Sequence, residues 1–325
     1  NTQTGITTGN NNIALGYGAM DDFNAGVNSA NSSGNIAIGT DAMGGTATDV
    51  ASNNNIAIGL NAMDGALDGA SNNTTLGYYG LSSLTTGDNN TAIGGNSADA
   101  LTSGSDNVAA GQNSLTASTI GIRNVSIGNA SVQSAVTDSM NTGVGYGALG
   151  NLNKDASAGS YQDTSNTAVG YIAGSGITTG TTNVYLGSYC AYGSQTGNSN
   201  IAIGYSAHYN QPNSAFNVAI GHNSMNGGAG DSYRNTAIGY ESLKANTNGT
   251  DNVAVGKDAL KASTTGTKNI AIGANALSTT TTGAHNIAIG HQAGDALNVN
   301  ESYNIAIGID SFGAMDEGAS GNIDH

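Results

Sequence analysis

The sequence has no tryptophan, three phenylalanines, one proline and one cysteine in 325 residues. A chain so poor in bulky side chains does not fill a conventional core, so its apolar surface has to be arranged economically. The lone cysteine, Cys190, excludes an internal disulfide framework and a thiol-clustered zinc site. Charge is scarce too: charged residues make up 9%, and 22 acids against seven bases give a formal net charge of −15. That balance repels phosphate backbones and anionic headgroups, which sets nucleic-acid binding aside. No apolar run approaches the roughly 18 residues of a membrane-spanning helix, so no membrane insertion by this segment is expected.

What the sequence does have is glycine, 50 residues of it, and repetition. The stretch "NIAIG" stands at Asn35–Gly39 and Asn55–Gly59 and starts again at Asn200, Asn269, Asn286 and Asn304, with looser forms at Asn90, Asn124 and Asn183. The closing glycine recurs from Gly16 to Gly308, mostly in steps of 17 residues, and always with Asn four positions before it. Self-similarity at a short fixed step marks a stacked array in which each repeat buries itself against its neighbours. Longer steps place insertions near 21–33, 44–54 and 150–165, and Gly321-Asn322-Ile323 begins a further copy. Residues 1–325 read as a single continuous array.

Each position carries its own chemistry. The residue after Asn is always Ile, Val or Thr, and the residue two further on is Ile, Leu or Val except at Ala110. Two β-branched or aliphatic residues at period two predict a short strand with that pair buried. The residue between them is Ala in most copies and otherwise Thr75, Ser126, Gly143 or Tyr185. A flank restricted to such residues predicts the close approach of another backbone, that of a sister molecule. Three residues after the glycine comes a small side chain such as Ala42, Ser97 or Cys190, then often Met or Leu, with His208 and Phe312 as exceptions. Turns of the "TTG" type put glycine three places ahead of Asn, as at Gly87, Gly104 and Gly266, and predict positive φ there. The fold expected is all-β: a β-solenoid, or parallel β-roll, of about 17-residue coils that packs against identical chains.

The pattern N-x-A-[IV]-G-x-x-[AS] resembles the head repeats of YadA-like trimeric autotransporter adhesins. It is also similar to phage tail-fibre repeats that carry "NTAIGYQAL…TTG" units. The resemblance covers Asn12 to Asn322, although the 17-residue step is longer than that of the adhesin heads. It implies a homotrimeric fibre, extracellular on a cell surface or a virion, that attaches to another surface through a glycan or protein receptor. The alternative is a purely structural extracellular filament or coat protein assembled end to end from itself.

Candidate sites follow from the array. Asn35, Gly39, Asn55, Gly59, Asn200, Gly204, Asn269, Gly273, Asn286 and Gly290 represent the repeat itself, with the asparagines expected to form an amide ladder. Aromatic or imidazole residues follow the motif glycine at Tyr17, Tyr78, Tyr146, Tyr171, Tyr205, Tyr240, His222 and His291. In a solenoid they share an edge, as a glycan-stacking strip or as a structural ladder along a corner or subunit seam. The insertion at 150–165 carries Lys154, Tyr161 and Gln162, either a contact loop or neutral surface variation.

Catalysis finds no support. The five histidines lack HExxH or HxH spacing, and Asp21-Asp22 and Asp316-Glu317 are isolated acidic pairs. The nonapeptide pattern of calcium-binding rolls is absent, and "GVGYGAL" lacks the lysine of a phosphate loop. No catalytic residue, metal or cofactor is expected. The threonines at 279–282 raise ice binding, but threonine does not keep one phase from coil to coil.

Overall fold

Each motif forms a strand of only three residues, because the glycine that follows adopts φ between 125° and 150°, a region closed to other residues. The computed structural model describes residues 9–22, 31–47, 49–228, 230–297 and 300–313. All of the regular structure there is β, with no helix. The partial copy at 321–323, the pair Asp316-Glu317 and most of the first insertion lie outside the described residues.

The chain divides into two compact units, 1–183 and 184–325. The first contains β1 (Ile13–Leu15), β2 (Ile36–Ile38), β3 (Ile56–Ile58), β4 (Thr74–Leu76), β5 (Thr91–Ile93), β6 (Val108–Ala110), β7 (Val125–Ile127), β8 (Asp138–Ser139), β9 (Thr142–Val144), β10 (Gln162–Asp163) and β11 (Thr167–Val169). Its main sheet runs β1-β2-β3-β4-β5-β6-β7-β9-β11, every neighbour parallel and paired at equivalent motif positions. Strands β8 and β10 form a separate parallel pair beside the third insertion. The second unit contains β12 (Val184–Leu186), β13 (Ile201–Ile203), β14 (Val218–Ile220), β15 (Thr236–Ile238), β16 (Val253–Val255), β17 (Ile270–Ile272), β18 (Ile287–Ile289) and β19 (Ile305–Ile307), stacked parallel in chain order. Both units are parallel β-solenoids.

The motif asparagines hold successive coils together. The Asn252 side-chain oxygen accepts the backbone N–H of Asn269 at 3.0 Å and its Nδ2 at 3.2 Å. Asn252 Nδ2 in turn donates to the Gly266 carbonyl at 2.8 Å. The same geometry recurs at Asn35, Asn55 and Asn73 in the first unit. These side chains are fully buried, and the ladder satisfies both ends of each amide.

The two faces of the strand are the reverse of the sequence expectation. The middle residues point into the coil: Ala37, Ala57, Ala92, Ala202, Ala254 and Ala271 are fully buried. The flanking aliphatic residues point out, and Ile93, Ile127, Ile238, Ile272 and Ile289 are exposed. The alanine-lined flank therefore faces its own coil and not a sister molecule. A 17-residue coil is too narrow for two opposed large side chains, so the strand contributes a methyl group while Met43, Met63, Leu115 or Leu260 fills the interior from the opposite side.

Exceptions are compensated by volume. Tyr185 is fully buried in the alanine slot, and its own coil carries the small Ala191 in the position that Met or Leu fills in most coils, with Ser194 beyond. Thr75 occupies the same slot opposite Gly80, where an added Cβ would strike the threonine hydroxyl. Cys190 is a buried small filler whose Sγ lies 3.1 Å from the Ala202 carbonyl, and burial pushes its thiol up to about 12.

The turn glycines also depart from expectation. Gly87, Gly104 and Gly266 do not adopt positive φ. The left-handed conformation falls on the residue just before Asn, as at Asn89 (φ 59°), Asp106 (φ 62°) and His285 (φ 60°). Glycine is required for a different reason: a Cβ on Gly266 would lie 2.6 Å from the Gly283 carbonyl oxygen of the next coil.

Candidate functional site

Outward-facing aliphatic residues form two parallel rows in each unit. In the second unit one row is Val184, Ile201, Val218, Thr236, Val253, Ile270, Ile287 and Ile305, and the other runs from Leu186 to Ile307. Exposure along it reaches 40% at Ile272 and 66% at Ile307. In the first unit threonine interrupts the rows at Thr74, Thr91, Thr142 and Thr167. Soluble monomers rarely expose apolar patches beyond a few hundred Å2, so a stripe of this continuity is a candidate interaction surface.

Beside the aliphatic rows runs the column after the motif glycine. Tyr17, Tyr78, Tyr146, Tyr171, Tyr205 and Tyr240 are all exposed. Tyr146 stacks on Tyr171 at 5.5 Å between ring centres. In the second unit Tyr205, His222 and Tyr240 form a three-ring stack at 5.2 and 5.4 Å. The Tyr78 ring lies over Gly95 of the next coil, and its hydroxyl receives Gln112 Nε2 at 3.4 Å. His291 lies 3.9 Å from Asp310 instead of in a ring stack. Stacked rings cover each other's faces and present their edges, whereas a sugar needs an open face, so this geometry favours the ladder over the glycan strip.

The third insertion is anchored through Asp138. Its carboxylate accepts the Lys154 backbone N–H at 3.1 Å, and burial pushes it up to about 6. Thr137 donates to the Asp155 carbonyl at 2.8 Å and Leu152 is buried, so the loop base is fixed. Lys154 and Tyr161 remain exposed at its surface.

A cluster that sequence reasoning missed lies in the second unit. Five of the seven bases, Arg234, Lys244, Lys257, Lys261 and Lys268, fall within 35 residues. Glu241 binds Lys244 at 2.6 Å and Lys261 at 2.7 Å, while Asp258 binds Lys261 at 3.1 Å and Lys257 at 3.0 Å. The two lysine hydrogen bonds hold the Glu241 carboxyl down to about 2. Beside this cluster is an open cleft of about 680 Å3, lined by Tyr209, Asn226, Gly227, Lys244, Ala245 and Lys261 among others. The signal was present in the sequence: Lys244 and Lys261 are one repeat apart, as are Tyr192 and Tyr209.

Inside the same unit His208 is fully buried in the Met/Leu slot, with Nδ1 3.1 Å from the Ser194 hydroxyl. Burial pushes its pKa down to about 4 from 6.5. The unfolded chain therefore takes up a proton below about pH 6.5 that the folded chain refuses, and stability falls as pH drops from 6.5 towards 4. The linked loss is on the order of 3 kcal/mol. The His208→Met variant, in a slot that Met225 fills on the next coil, should lose much of this acid sensitivity; melting curves at pH 7 and pH 4.5 measure it.

In the turn at 279–282 two threonine hydroxyls are spent on coil-to-coil bonds, and that of Thr280 is buried. Thr279 Oγ1 donates to the Asp295 carbonyl at 2.6 Å and Thr282 Oγ1 to Asn300 Oδ1 at 2.8 Å. Among the described residues no group of three or more His, Cys, Asp or Glu could hold a metal ion. In comparison with known proteins, no family model matches the chain and no curated protein matches it either.

Proposed function

We propose that this chain is a non-enzymatic segment of an extracellular attachment fibre, of adhesin or phage tail-fibre type, in which three copies pack through their aliphatic sheet faces. The observation that carries this reading is the pair of outward aliphatic rows, interrupted in the second unit only at Thr236. Water-exposed isoleucine and valine at this density lose free energy of about 1.5–3 kcal/mol per side chain when another copy covers them. The coil interior is complete without a partner, so the faces are free to serve assembly. Three copies, and an attachment role, follow from the resemblance to trimeric adhesin heads and tail-fibre repeats. The exposed Lys154–Tyr161 loop and the aromatic column then lie on the fibre as contact elements or seams.

The test is sedimentation of the purified chain, followed by microscopy of labelled protein on cells. The expected result is a trimer forming discrete rods that attach to cells. A monodisperse monomer at micromolar concentration would overturn the assembly, and rods that lengthen with concentration without attaching would replace adhesion by a structural filament.

A further inference from the structure

The lysine-lined cleft of the second unit differs from the rest of this acidic chain in three respects. First, its residues come from other positions of the repeat than the aliphatic rows, five to seven residues after the motif glycine. At the first of these positions successive coils carry Tyr192, Tyr209, Asn226, Lys244 and Lys261. Second, Tyr209 stacks on Tyr192 at 5.4 Å, and the next coil bears Asn226 rather than another ring. Asn226 Nδ2 is drawn to Asn223 Oδ1 at 2.8 Å, and Gly227 has no side chain, so one face of Tyr209 borders open space. In the long tyrosine column the stacked rings shield one another's inner faces, and none of them lines this cleft.

Third, the ammonium groups are held in place but not saturated. An ammonium has three donors. Lys244 gives one to Glu241, and Lys261 gives two, to Glu241 and Asp258. Of the three cations on Glu241 and Asp258, Lys244 and Lys261 line the cleft and Lys257 bonds Asp258 from outside its lining; together the three and the two carboxylates leave one net positive charge beside the cleft. A single surplus charge suits a monoanion and is poorly matched to a phosphate dianion or a polyanion approaching a chain of net charge −15. The small floor of Gly227 and Ala245 leaves room for a ring between the aromatic and the cationic ends.

We infer that this cleft binds a carboxylated saccharide, a uronate or sialate residue, with its ring against Tyr209 and its carboxylate on Lys244 and Lys261. The inference deepens the attachment reading and rests on it: the cleft would be a receptor contact of the fibre. Calorimetric titration of the full chain with a methyl glycoside of galacturonate bearing one free carboxylate (methyl α-galactopyranosiduronate) and with sialyllactose tests it, using lactose as the neutral control. Binding of either acidic probe, at least tenfold tighter than lactose, is expected. The K244Q/K261Q variant should lose at least tenfold, and Tyr209→Ser, which leaves every charge in place, should lose three- to tenfold with an unchanged melting temperature. Absence of binding by both acidic probes, or equal binding by wild type and Tyr209→Ser, overturns the inference. If the probes fail while the rods still attach to cells, only the cleft is refuted; if they bind while no attachment occurs, the cleft stands and the attachment role falls.

Discussion

The double substitution I272K/I289K is expected to dissociate the assembly into monomers while leaving the coils folded. Both side chains point away from the coil interior and are about two-fifths exposed in the single chain, at 40% and 38%. In a trimer sealed by the aliphatic rows, each substitution removes about 2 kcal/mol of apolar burial. It also leaves an uncompensated charge in the interface, at a cost of about 3–5 kcal/mol where such charges have been unpaired in protein interiors. Two sites in three copies multiply that figure beyond what a trimer tolerates. Sedimentation velocity at micromolar concentration reads the outcome, and circular dichroism reports whether the strands persist. The control is I272T/I289T, because threonine already stands on the outward face at Thr236. A Lys variant that sediments as the wild type does would remove the aliphatic face from the assembly.

Gly256→Ala is expected to have the opposite character, destroying the coil itself. Gly256 has φ 131°, and a Cβ there would sit 2.6 Å from both the carbonyl carbon and oxygen of Gly273 on the next coil. The conformation alone costs about 1–3 kcal/mol for a residue with a side chain. The obstructing atoms are backbone and move only if β16 separates from β17, which breaks the ladder on both sides. A loss above about 4 kcal/mol, in the range reserved for severe single substitutions, follows. Thermal melting measures it, and faster hydrogen exchange at Val253 and Gly273, whose N–H groups bond across that junction, locates it. Gly159→Ala provides the comparison, since a Cβ there meets nothing within 4 Å. If Gly256→Ala melts within about 1 kcal/mol of the wild type, interlocked glycines are not what joins the coils.

The sequence contains the step of the array, the place of every three-residue strand and the residues that flank it, because those depend on local spacing. It does not contain the direction in which the strand faces. Period-two alternation defines two faces equally well, and large aliphatic residues are assigned inward by habit; Ile272 outside and Ala271 inside reverse that rule because a coil this thin has no room for both. The turn glycines illustrate a second limit. Gly266 is glycine because the next coil passes too close, a constraint between residues one repeat apart that turn chemistry alone does not express. The buried column that holds Leu84, Leu101 and Leu152 also holds Ser118, Ser194, Ser263 and Thr280, and polar residues there read as loop. The aromatic column was visible as a spacing, but ring stacking, which decides what it offers to a ligand, was not.

The asparagine ladder has a consequence for how such a chain changes length. Among the asparagines, each amide bonds only those of the two adjacent coils, its Nδ2 donating to the one before and its oxygen accepting from the one after, in the same way at Asn252, Asn269 and Asn286. Excising or duplicating one whole 17-residue unit at any glycine rejoins the same donors to the same acceptors and keeps the outward rows aligned. Genetic recombination between neighbouring copies therefore yields shorter and longer relatives that fold by the same rules, and extent becomes adjustable without redesign of any single winding.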